Sequence, residues 1–109
     1  PLASGLDAGI KLAQNCKRSG KMPSLAILTD GKANIDLNGL PNREKALSDS
    51  VLVGEIGKKM DMKSVFIDCG KRPNNNLKEI ANSMGANYVS LPRTNATKIS
   101  NLVQANLGI

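Results

Sequence analysis

Two aspartates stand where apolar runs stop. Leu25, Ala26, Ile27 and Leu28 lead through Thr29 into Asp30 and Gly31, and "SVFID" leads into Cys69 and Gly70. A carboxylate at the end of a buried run must be hydrogen-bonded, face a crevice, or bind a cation. Mg²⁺ suits such a position, because it takes one or two carboxylates and keeps several waters. Asp30 is the stronger candidate ligand; Asp68 is placed to contribute from a neighbouring strand. The competing reading is structural: each acid caps a loop, accepting a backbone N–H from Gly31 or Gly70. Other chemistry has less support. The chain contains no His, which argues against the usual zinc sites and against Ser-His or Cys-His nucleophile pairs. Thr29 and Ser90 have no base partner in the sequence. Cys69 reads as a small buried apolar residue rather than a nucleophile. "GLDAG" opens the chain with no strand before it, so Gly5 and Gly9 make no phosphate loop and suit close helix packing instead. "KRPNNN" reads as a turn leading into a helix cap, with Lys71 and Arg72 on a solvated loop.

These residues need a scaffold. Leu2, Leu6, Ile10 and Ala13 recur at helical spacing, with Lys17 and Arg18 in a last turn and Gly20 as a stop. Residues 24–30 form a strand that reads as fully buried, and 31–42, with two Gly, three Asn and Pro41, form a loop. Residues 43–60 suit a second helix with Leu47, Val51, Val53, Ile56 and Met60 as its apolar side. A strand over 64–70 follows. Leu77, Ile80, Ala81 and Met84 mark a third helix that Gly85 stops. A strand over 87–92 and a last helix around Ile99, Leu102 and Val103, capped by Thr94 or Asn95, complete the order α-β-α-β-α-β-α. Continuous apolar strands separated by helices predict an α/β fold with a parallel, doubly wound sheet covered on both faces. Ligands in such sheets sit at the carboxyl ends of the strands. Those ends carry Thr29-Asp30-Gly31, Asp68-Cys69-Gly70 and Pro92-Arg93.

Composition narrows the function classes. The chain has 109 residues, 40 % of them apolar but only 2 % aromatic, so one domain or part of one, with an aliphatic core, is expected. It starts at Pro1, which suggests a processed or truncated chain. No stretch approaches the roughly 20 apolar residues of a membrane span, and no signal-peptide pattern is present. Cys16 and Cys69 lack metal-type spacing and fit a reducing cytoplasm, with a disulfide between them left open. Fifteen Lys and Arg against nine Asp and Glu give a net charge of +6. The bases are scattered, and one Tyr and one Phe give no stacking platform for single strands, so nucleic acid is not the expected partner.

Four stretches carry a family resemblance: "PLASGLDAGIKLA", "LAILTDGKANIDLNGLP", "SVFIDCGKRP" and "MGANYVSLPR". They resemble the D subunits of magnesium chelatases, closest to the bacteriochlorophyll-pathway type, over nearly the whole chain. The resemblance implies that residues 1–109 form the C-terminal part of a von Willebrand factor A-type domain, a Rossmann-like fold. It implies a role in the ATP-dependent insertion of Mg²⁺ into protoporphyrin IX. The implied partners are an AAA+ ATPase subunit and a porphyrin-binding subunit, with ATP bound only in AAA+ parts. The chain would then act as a docking platform and would not catalyse alone.

The family's metal-ion-dependent adhesion site carries over in part. Its pattern is Asp-x-Ser-x-Ser on a first strand, a Thr in a later loop and an Asp ending a middle strand. Asp30 in "LTDG" matches that last Asp; the other elements would lie upstream of Pro1. The resemblance thus assigns Asp30 to the metal, and the expected interaction surface is Asp30 with Lys32, Asn34, Asp36 and Asp68. Without earlier strands, one flank of the sheet and some apolar surface should be exposed. A cobalt chelatase subunit, a stand-alone A-type protein-binding module and a small nucleotide-binding domain are the competing expectations.

Overall fold

In a computed structural model of the chain, the structure describes residues 2–29, 43–70, 72–91 and 96–108. The elements are α1 (Leu2–Arg18), β1 (Ser24–Thr29), α2 (Arg43–Lys58), β2 (Lys63–Asp68), α3 (Asn75–Met84), β3 (Asn87–Ser90) and α4 (Ala96–Leu107). Their order is the one the periodicities predict. The expected loop over 31–42 and the Thr94 or Asn95 cap lie outside the described residues.

The strands form a parallel sheet in the order β1-β2-β3. Because the strands run in sequence order, crossovers of one hand place α2 and α3 on the same face. Side chains of alternating parity divide the core. Phe66 on β2 joins Leu6, Ile10, Val53, Leu77 and Ile80 beneath α1, α2 and α3. Val65 and Ile67 meet Leu107 of α4 on the other face. Among the described residues the sheet is therefore doubly wound, with three helices on one face and one on the other.

Among the described strands, only β2 is buried along its length after Lys63. Here the structure corrects the expectation for β1. Among the described residues β1 is an edge strand, and Leu28 on it is 50 % exposed. An apolar run does not by itself distinguish a central strand from an edge strand.

The buried face of α2 matches the expected one only in part, with Leu47 and Val51 packed against the core as expected. Val53 and Met60 are buried, but Ile56 is 47 % exposed, and Ala46 and Ser50 are fully buried instead. The cause is crowding: α2 packs against both α1 and α3, so its inner face carries small residues. A Cβ on Gly54 would lie 2.0 Å from Ser83 Oγ, and one on Gly57 would lie 2.9 Å from Ile10 Cδ1. Gly9 on α1 also packs closely, against Leu25, whereas Gly5 has open space around it. Ser50 Oγ is buried with no hydrogen-bond partner among the described residues. Ser50→Ala removes that unsatisfied hydroxyl and is expected to raise stability by about 1 kcal/mol in urea denaturation. A loss of stability would contradict this assignment.

Helix α3 has both ends closed as its sequence requires. Asn74 Oδ1 accepts from Asn76 N at 2.8 Å and Leu77 N at 3.3 Å. Gly85 takes a left-handed conformation at φ 67°, and Ala86 N donates to Ala81 O at 2.9 Å.

Candidate functional site at the carboxyl end of the sheet

The sheet register places Thr29, Asp68 and Ser90 in one row at the carboxyl ends of the three strands. Asp30 follows Thr29 directly in sequence, but Asp30 lies outside the described residues. So do Lys32, Asn34 and Asp36 from the expected interaction surface, as well as Lys71. Among the site residues singled out from sequence, Asp68 alone is described.

The Asp68 side chain is fully buried, and its oxygens are occupied from within the chain. Oδ1 accepts from Gly70 N at 2.9 Å, and Oδ2 accepts from Tyr88 Oη at 2.5 Å. The second contact has the length of a charge-assisted bond from a hydroxyl to a carboxylate. Tyr88 Oη in turn accepts from Asn74 N at 3.2 Å. The chain of bonds runs from the turn after β2, through β3, to the residue that caps α3. Phe66 stacks on Tyr88 with ring centroids 6.4 Å apart, and Lys78 Nζ lies 5.7 Å from the Tyr88 centroid. The network's effect is to fix the turn Cys69–Gly70 and the start of α3 against the sheet.

Sequence reasoning found the loop-cap role for Asp68 but not its Tyr88 partner. The available signal was the register itself: Phe66 pairs with Tyr88 and Asp68 with Ser90, so Tyr88 shares a face with Asp68 one step away.

Burial raises the Tyr88 hydroxyl pKa above its ordinary value near 10, and donation to Asp68 raises it further. The folded state therefore holds this proton more tightly than the unfolded chain. That contribution to stability is fully present below about pH 10 and is lost as pH rises through the folded-state value. Tyr88 is the sole tyrosine and the chain has no Trp, so phenolate absorbance reports this group alone. Its midpoint is expected above that of the urea-unfolded chain, and coincident midpoints would contradict the network.

Among the described residues, no group of three His, Cys, Asp or Glu side chains is placed to hold a metal ion. Nor is any helix there long and apolar enough to cross a membrane. Both cysteines are free thiols, Cys16 exposed and Cys69 half-buried, and Cys69 packs into the core on the α4 side.

Comparison with known proteins gives a consistent result along the whole chain. The magnesium-chelatase 60 kDa subunit of Rhodobacter capsulatus is 38 % identical over 107 residues, which is 98 % of this chain. The chain is homologous to a segment of magnesium-chelatase 60 kDa subunits. That of Cereibacter sphaeroides is 35 % identical over 108 residues, or 99 % of the chain. The chain spans about a fifth of the length of these relatives, 19 % in each case. No protein-family profile matches it, and no solved structure matches it significantly.

Proposed function

We propose that the chain is a domain of a subunit of an ATP-dependent magnesium chelatase, which inserts Mg²⁺ into protoporphyrin IX in (bacterio)chlorophyll biosynthesis. The observation that carries this reading is identity of 35–38 % sustained over 98–99 % of the chain to subunits of that name. The α/β architecture with its all-parallel sheet agrees with part of a von Willebrand factor A-type domain. On this reading the domain is a docking platform. Its partners are an AAA+ ATPase subunit, which supplies ATP binding, and a porphyrin-binding subunit. Mg²⁺ destined for the porphyrin is the assembly's substrate.

Asp30 is the proposed metal ligand of the platform, with Lys32, Asn34 and Asp36 on the surrounding surface. The described residues do not form a Mg²⁺ shell of their own. Asp68, the acid that ends β2, has both oxygens engaged by Gly70 and Tyr88. We therefore assign Asp68 the role of holding the neighbouring turn, and its share in the surface is indirect. The other ligands would come from outside these 109 residues or from a partner's carboxylate. The edge position of β1 and the half-exposed Leu28 fit a sheet that continues past β1 in the complete subunit.

The test is Asp30→Ala in the complete subunit, assayed with its ATPase and porphyrin-binding partners. Loss of assembly, together with loss of Mg²⁺ insertion, is expected. Unchanged assembly and insertion would refute the docking role.

A further inference from the structure

The opposite end of the sheet has a feature that this reading leaves unused. At the amino ends of β1 and β2, a groove of about 790 Å³ lies between the turn after α1 and the turn after α2. Its volume is in the range of pockets that take small ligands or side chains. Its apolar floor is made by Met60 and Leu107, both buried, and by half-buried Met62. Met22 stands at the rim, 93 % exposed. Among the described residues, Lys17, Lys21 and Lys63 line the groove against a single acid, Asp61. Lys17 Nζ is engaged, donating to Met60 O at 2.7 Å and so joining the ends of α1 and α2. Among the described residues, Lys21 and Lys63 have no ion-pair partner. The carboxyl ends of α1, α2 and α4 lie at this end of the fold, and their carbonyls offset part of the positive charge. Three cations against one anion still leave the mouth positive.

We propose that this groove docks an acidic segment of a partner polypeptide that carries one apolar anchor side chain. The anchor seats among Met60, Met62 and Leu107, and flanking carboxylates meet Lys21 and Lys63. Charge complementarity selects the acidic partner. The apolar floor selects a peptide over a free anion, because exposed lysine–carboxylate pairs are individually weak and burial of the anchor must supply the rest. Unbranched methionine side chains adapt readily to such an anchor. This inference does not rest on the metal reading of Asp30, and it places a second contact at the far end of the domain.

The test uses the complete polypeptide and a fluorescein-labelled peptide, Glu-Glu-Asp-Leu-Glu-Asp-Glu, followed by anisotropy. Saturable binding is expected. It should weaken about tenfold in the Lys21→Glu/Lys63→Glu variant, and comparably when the peptide's leucine is replaced by glycine. Both lysines are exposed, so the variant should melt with the parent; if it does not, Lys21→Glu alone is read, with about a threefold loss expected. No saturable binding, equal affinity in the variant, or full displacement by excess inorganic phosphate would overturn the proposal. The last outcome would mark a simple anion site.

Discussion

Gly54→Val is expected to destabilise the chain by about 3 kcal/mol, measured as a shift of the urea midpoint at constant slope. The reason lies in the seam between α2 and α3. A Cβ at Gly54 would lie 2.0 Å from Ser83 Oγ and 3.1 Å from Met84 Cγ. Ser83 Oγ is itself tied to Ile80 O at 2.6 Å, and Met84 is buried, so neither neighbour gives way freely. The γ-methyls of valine add volume where α3 already touches. Gly5→Ala is the control. It sits in α1 with nothing within 4 Å of its Cβ position, so only the helix preference acts. That substitution is expected to stabilise by about 0.5–1 kcal/mol. If both substitutions stabilise, the close α2–α3 approach is wrong.

Asp68→Ala is expected to lower stability by a similar amount, about 3 kcal/mol. It removes a fully buried acceptor and leaves the half-buried Gly70 N–H and Tyr88 hydroxyl without it. Removing a buried carboxylate also removes its desolvation cost. The loss dominates because two donors are orphaned together, and hydrogen bonds to a charged group are worth about 1.5–3 kcal/mol each. Tyr88→Phe breaks only one of these bonds and should cost less. In a double-mutant cycle the pair should couple by at least about 1 kcal/mol. Additive effects would mean that the Tyr88–Asp68 bond contributes nothing in solution.

The element order was legible because each helix and strand carries a clear period or a clear stop. The α3 stripe of Leu77, Ile80, Ala81 and Met84, ending at left-handed Gly85, is the clearest case. The α2 face was legible only in part from hydrophobicity: Leu47, Val51, Val53 and Met60 do meet the core. A helix held between two others buries Ala46, Ser50, Gly54 and Gly57 and leaves Leu52 and Ile56 outside. Small size, not apolarity, was the signal there. The Asp68–Tyr88–Asn74 chain joins residues 14 and 20 positions apart, and only the sheet register brings them together. Asp30 was legible as an acid ending a strand, but a strand-end acid looks alike in sequence whether it caps a turn, as Asp68 does, or meets a cation.

That ambiguity defines the decisive measurement: a calorimetric titration of the complete subunit and its Asp30→Ala variant with Mg²⁺, and with Mn²⁺ as a second probe. Saturable binding to the parent and its loss in the variant are expected, with the melting temperature in the absence of metal unchanged. Equal binding to both would contradict the assignment of Asp30 as the metal ligand of this domain.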